Sequence, residues 1–313
     1  MILKYHIGDL VDYINWSYFF HAWGLPSKMS GIANVHRCQS CQESWVSRFQ
    51  CDDTIAARDA VKLFNSAMTF LGQIQRHVEV QALFRLYEAS SHNEDIILYD
   101  ESGEEVCRLP MLRQQVPSRD GFCLCLADFI TAESSGKKDK IGLFATSVGT
   151  HSPAPSASGS VRPEINLGSD LEGKSDLLLQ TLSDRLAEAA AERLHEQVRK
   201  DPAKWGYASD ENLTIRDLHE CRYVGIRPAV GYPCMPDLSL NFLLDELLGM
   251  GRIGIRLTEH GMMIPHASVS GLMVSNPHAR YFSVGEVSDD QVADYAHRRH
   301  KDIDETKKFL GLL

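Results

Sequence analysis

The chain has no apolar run that approaches the ~18 residues a membrane-spanning helix needs. Its start, MILKYHIGDL, lacks the long apolar stretch of a secretory signal. Positive charge is also short: 32 Lys and Arg stand against 42 Asp and Glu, a net charge of -10. That balance excludes a generally basic, nucleic-acid-binding surface, though not a local patch. GxGxxG, a Walker loop and HExxH are all missing, and with them the familiar signatures of dinucleotide, nucleotide and zinc-hydrolase sites. Eight cysteines in 313 residues, without a secretion signal, read as thiols rather than disulfides. We therefore expect a cytoplasmic protein with no membrane and no nucleic-acid partner. What is present, 43% apolar and 24% charged residues, suits a globular chain long enough for a substantial core.

Hydrophobic spacing predicts the elements. Leu10 to Trp23 is too aromatic to be a free tail. Ser30 to Cys51 is polar, with CQSC at Cys38 to Cys41. Ile55, Ala60, Leu63, Phe64, Ala67, Met68, Leu71 and Ile74 give a helix over 53–74 that Asp52 or Asp53 can cap. From Ala82 the period becomes two, and strands follow at 82–87, IILYD and VCRL, separated by turn signals. Residues 121–130 and 140–148 are further strand or buried segments. The Ser-, Gly- and Pro-rich stretch 149–176 reads as a flexible loop. Ser175 to Lys200 is the strongest helix signal, and Pro202 ends it. Further helices are expected over 239–250, from Ser288 with Gln291 as a capping box, and from Asp302 with Glu305; strands are expected over 268–274 and 281–287. Strands and helices cluster rather than alternate, which argues an α+β fold with a largely antiparallel twisted sheet flanked by helices.

The stretch Gly225 to Asp237, GIRPAVGYPCMPD, stands apart. Pro228, Pro233 and Pro236 fix their own φ angles and restrict the residues before them. Gly231 permits a turn or a close approach. A stiff, extended loop results, carrying Arg227, whose planar fork suits a carboxylate or phosphate, and Tyr232, with its aromatic face and hydroxyl. Read alone, the same residues also fit a rigid connector between strands. The cysteines offer a second candidate: Cys38, Cys41 and Cys51 could supply thiolates to zinc, with His36 as a fourth ligand. A second CxxC is missing, so we expect unused thiols and no metal. His195, His219, His297 and His300 read as packed or surface residues.

GIRPAVGYPCMPD resembles the RPAxGYPxxPD/E signature of the activation domain of cobalamin-dependent methionine synthase. YINWSYFFHAW (Tyr13 to Trp23), LADF (Leu126 to Phe129), DKIGLFA (Asp139 to Ala145), DRLAEAAAERLHEQVRK (Asp184 to Lys200), WGYASDENL (Trp205 to Leu213), PHASVSGLMVSNPHARYF (Pro265 to Phe282) and DQVADYA (Asp290 to Ala296) resemble further family segments, in the family's order and over nearly the whole chain. The resemblance implies a single activation-type domain over 1–313, with an insertion at 30–52. It implies binding of S-adenosylmethionine: Arg227 to the carboxylate, main-chain groups of Pro228, Ala229 and Val230 to polar edges, and Tyr232, Tyr281 and Phe282 as aromatic positions. Read without it, Tyr281–Phe282 is plain strand alternation with one ring in the core.

Asn15 stands where the family has an Asp that meets the ligand's ammonium group, which implies weaker binding by ~1 kcal/mol. Leu238 replaces a common His, and Cys234–Met235 replaces a small residue followed by Cys. DLHECR at Asp217 superficially resembles the cobalamin-binding DxHxxG, but Arg222 occupies the glycine position, so cobalamin is expected on a partner. The implied function is reductive methylation, in trans, of cobalamin on a methionine synthase or related corrinoid protein, with a flavodoxin-like electron donor. No catalytic acid or base is then required. The residues also leave open a free-standing methyltransferase acting on a small acceptor, or an interaction protein that has lost its ligand.

Overall fold

The computed structural model describes residues 1–118, 120–150 and 175–312. In chain order the strands are β1 (Ile2–Tyr5), β2 (Val78–His92), β3 (Asp95–Tyr99), β4 (Glu105–Pro110), β5 (Asp139–Thr150), β6 (Arg256–Leu257), β7 (Met263–Ile264) and β8 (Ser268–Val274). The helices are α1 (Trp16–Ala22), α2 (Gln39–Val46), α3 (Asp52–Ile74), α4 (Ser175–Lys200), α5 (Ile215–His219), α6 (Leu240–Leu248), α7 (Asp289–Arg298) and α8 (Ile303–Phe309). The chain divides into two compact units, one of residues 1–3, 82–147 and 191–313, the other of residues 4–81 and 148–190. Among the described residues no helix is long and apolar enough to cross a membrane.

The first unit is built on a sheet of order β4-β3-β2-β5-β8, in which β2–β3, β3–β4 and β5–β8 pair antiparallel. The α+β class and the antiparallel sheet expected from the sequence are both present. A two-residue hairpin joins β2 to β3; Asn93 takes the positive φ (53°) that such a turn demands and that Asn tolerates. Leu240, Leu244 and Leu248, one per turn along α6, are buried in one cluster with Leu83, Leu98, Leu143 and Leu272 of the sheet. Gly249, at φ 64°, ends α6 in the left-handed region.

The second unit is helical. Trp16, Phe19 and Phe20 of α1 are buried, with Trp16 edge-on to Phe64 of α3 at 4.8 Å. Trp23 Nε1 donates to Thr181 Oγ1 at 3.3 Å. Residues 30–52 contain part of a 3₁₀ stretch, Ser27–Asn34, and all of α2, whose Trp45 is buried.

Several local expectations need correction. No strand forms over 281–287: the edge of β8 is already taken by the 226–230 segment, and Val284 N–H donates instead to the Pro233 carbonyl. Of the two readings of 121–130, strand or buried segment, the second holds at residues 126–129, which form a buried 3₁₀ turn. Ser288 and Gln291 make no capping box, because tertiary partners take both side chains: Ser288 Oγ donates to Gln115 Oε1, and the Gln291 amide pairs with the main chain of Arg113. Cys51, not an aspartate, occupies the N-cap of α3, and Ile55 is exposed. Of the loop expected at 149–176, residues 151–174 lie outside the described residues; its ends belong to β5 and α4.

Candidate functional site

In the first unit, Ile226 to Val230 of the Gly225 to Asp237 loop lies along the edge of β8, joined to it by antiparallel bridges. Ile226 and Val274 exchange both main-chain bonds at 2.9 Å; Leu272 N–H donates to the Pro228 carbonyl at 2.9 Å, and Val230 N–H to the Ser270 carbonyl at 3.0 Å. Proline is tolerated here because only its carbonyl faces the sheet. Two glycines permit the close approach. A Cβ on Gly271 would lie 2.1 Å from the Pro228 oxygen, and one on Gly225, at φ +80°, 2.1 Å from the Val274 oxygen. The loop then turns at Gly231 (φ +86°), with Met235 N–H donating to the Tyr232 carbonyl at 2.8 Å. Its exit is pinned by Asp237, which is buried and accepts from Tyr295 Oη and Ser239 Oγ, each at 2.8 Å; Arg299 Nε lies 3.5 Å away.

Arg227 is 8% exposed. Its guanidinium sits 5.6 Å from the Phe144 ring and pairs with Glu192 Oε1. The other Glu192 oxygen is buried and meets no hydrogen-bond partner among the described residues. Arg227 N–H donates to Tyr281 Oη at 2.8 Å, and that hydroxyl shares a 2.8 Å hydrogen bond with Tyr223 Oη. Tyr281 is 42% exposed as a residue while its hydroxyl is enclosed, and burial raises its pKa. Behind Tyr223 lie two residues of α4. His195 packs edge-on to its ring at 4.6 Å, and the Arg199 guanidinium sits 4.7 Å from the ring centre. His195 Nε2 bonds Tyr207 Oη at 2.9 Å, and Arg199 Nε donates to Glu211 Oε2 at 2.7 Å. Burial, reinforced by Arg199 and Arg227, holds the His195 pKa well below its ordinary value, so the ring is neutral.

The structure thus brings Arg227, Pro228, Ala229 and Val230 together with Tyr281. The ladder uses the Pro228 carbonyl and the Val230 N–H, which leaves Ala229 as the residue of the three whose main-chain groups turn away from β8. Tyr232 is 51% exposed at the turn. Phe282 packs against the core, 6.4 Å from Phe129, so of the aromatic pair Tyr281 alone belongs to the Arg227 network. Leu238 also packs on the core. Asn15 belongs to the second unit, where its side chain caps α1 by accepting from Ser17 N–H at 3.2 Å.

Sequence reasoning missed Glu192 and the Tyr223–Arg199–Glu211 support. A signal exists: Glu192, His195 and Arg199 succeed one another at spacings of three and four beside the buried Ala191, Leu194 and Val198. Three polar residues in line at the margin of an apolar stripe mark a buried polar face.

The model of the family described as vitamin B12 dependent methionine synthase, activation domain, matches residues 6–300. A solved structure described as the MetH reactivation domain bound to AdoHcy is similar at 33% identity and a TM-score of 0.80, covering 99% of this chain and 89% of that one. The chain therefore belongs to the activation-domain family of vitamin B12 dependent methionine synthase.

Proposed function

We propose that this chain binds S-adenosylmethionine and supports, in trans, the reductive methylation of a corrinoid held by a partner protein. The observation that carries the reading is Arg227 itself, nearly buried, clamped to β8 and set against Glu192. Adjacent charges of opposite sign match the carboxylate and ammonium of an amino-acid tail. Arg227 takes the carboxylate, and the second Glu192 oxygen is the acceptor for the ammonium. The exposed rings of Tyr232 and Tyr281 offer faces to the sulfonium or the adenine, a contact worth about 0.5–2 kcal/mol. Asn15 enters the proposal on the family resemblance alone. Support also comes from the similar reactivation domain, which binds AdoHcy, the ligand left after methyl transfer.

In this reading the partner is a cobalamin-carrying methionine synthase or a related corrinoid protein. One electron from a flavodoxin-like donor takes Co(II) to Co(I). The cobalt electron pair then forms the bond to the methyl carbon, the carbon–sulfur bond breaks, and its pair stays on sulfur as AdoHcy. Both reactants are already activated, so this chain supplies binding, orientation and exclusion of water, with no acid or base.

Calorimetric titration of the full chain with S-adenosylmethionine tests the first half. Adding a cobalamin-loaded methionine synthase that lacks its own activation domain, with a reductant, tests the second. We expect saturable heat in the first and methylcobalamin formation in the second, dependent on this chain. Absence of heat and of thermal stabilisation would remove the ligand; methyl transfer to a small acceptor without corrinoid would replace the partner.

A further inference from the structure

We propose that His36, Cys38 and Cys41, in the helical unit, form a binding site for a thiophilic divalent ion of the zinc class. One ligand atom from each residue lies within 4.8 Å of the other two. A tetrahedral zinc with sulfur at ~2.3 Å and nitrogen at ~2.0 Å needs donors roughly 3.5–3.8 Å apart, so a side-chain adjustment of about an ångström closes the set.

Local structure explains the gathering. Cys38 is the N-cap of α2, and Cys41 lies three residues on, one turn along the same face. The segment is held by its own packing. Trp45 is buried, with its ring 4.8 Å from Phe49, and Gln42 and Asn65 exchange amide hydrogen bonds of 2.9 and 3.0 Å between α2 and α3. His36 is placed by the Cys38 N–H, which donates to its Nδ1 at 3.3 Å, and Ser40 Oγ lies 3.4 Å from Cys38 Sγ.

Donor softness selects the ion: two sulfurs and an imidazole suit zinc or cobalt and not magnesium or calcium. Cys51 is outside the cluster. Three protein donors leave one position of a tetrahedron for solvent or an incoming ligand. Two of the thiols expected from sequence spacing to be idle, Cys38 and Cys41, therefore supply two of the three protein donors. The site shares no residue with the Arg227 network, and its test does not depend on ligand binding there.

The test uses the full chain, reduced and stripped of metal by a chelator, titrated with Co²⁺ and then Zn²⁺. We expect one equivalent of Co²⁺ to give a thiolate-to-cobalt charge-transfer band with tetrahedral ligand-field absorption, both lost on adding Zn²⁺. Cys38→Ser and Cys41→Ser should each abolish the charge-transfer spectrum or weaken Co²⁺ binding at least a hundredfold, and His36→Ala at least tenfold; Cys51→Ser and Cys221→Ser should leave it unchanged. Alkylation of the unmutated chain, read by mass spectrometry, provides a check that needs no variant: Zn²⁺ should protect Cys38 and Cys41 but not Cys51. No charge-transfer band, a band that survives in Cys38→Ser/Cys41→Ser, or a Cys38–Cys41 disulfide that persists under the reducing conditions would overturn the proposal.

Discussion

Replacing Arg227 by methionine separates ligand recognition from folding, provided Glu192 is changed with it. The arginine pairs with Glu192 where both side chains are largely removed from water, 8% and 14% exposed. Arg227→Met alone leaves a carboxylate at that depth without its cation. Breaking a buried pair costs about 3–5 kcal/mol, and the partial exposure of Glu192 argues for the low end, ~3 kcal/mol. The single variant should melt several degrees lower, and lost binding there would be ambiguous. Arg227→Met/Glu192→Gln removes both charges, keeps similar volumes and should recover most of that loss, since replacing both partners is far milder than removing one.

Ligand affinity should not recover. The double variant loses both charges assigned to the ligand; the contact of Arg227 to the carboxylate alone contributes about 1.5–3 kcal/mol, so Kd for S-adenosylmethionine or AdoHcy should rise by at least roughly 10- to 160-fold. Calorimetry gives the affinity, and thermal unfolding without ligand gives the stability of the same preparations. A double variant that melts like the parent and binds within twofold of it would refute the assignment of both Arg227 and Glu192 to the ligand. A double variant as unstable as the single one would refute the claim that Glu192 is the group left stranded.

Three further outcomes follow from the same network. His195→Gln should flatten the acid side of the stability profile. The folded pKa of His195 is lowered by burial, so the unfolded chain binds the proton first; the contribution is intact above the ordinary value of ~6.5 and falls by up to ~1.4 kcal/mol per pH unit below it, as melting followed from pH 7 to 5 would register. Tyr281→Phe removes the acceptor of the Arg227 N–H and the partner of Tyr223 Oη, and should cost about 1–3 kcal/mol in denaturant unfolding while also weakening the ligand. Gly271→Ala places a methyl 2.1 Å from the Pro228 carbonyl and should displace the loop from β8, which exchange of the Val230 and Leu272 amides with deuterium would detect; unchanged protection in both would contradict the close-approach argument.

What the sequence made legible differs in kind between the loop and its surroundings. Three prolines and Gly231 act through local sterics, so the stiffness of GIRPAVGYPCMPD could be read without knowing its neighbours. Helices α3 and α4 were equally legible, because a stripe at helical spacing over some twenty residues has no competing explanation. The strand expected at 281–287 failed for the opposite reason. Its alternation is real, but pairing is a property of two segments, and the edge it would need is held by Ile226 to Val230. The counter-charge of Arg227 was hidden similarly. In AERLHEQVRK the apolar stripe through Ala191, Leu194 and Val198 sets the rotation of α4 and marks Glu192 as turned inward, but nothing in it names the loop as the surface that Glu192 meets. The site is therefore a local device whose charge balance is set from a distance. A substitution that rotates or shifts α4 should alter ligand affinity without touching any residue of the loop.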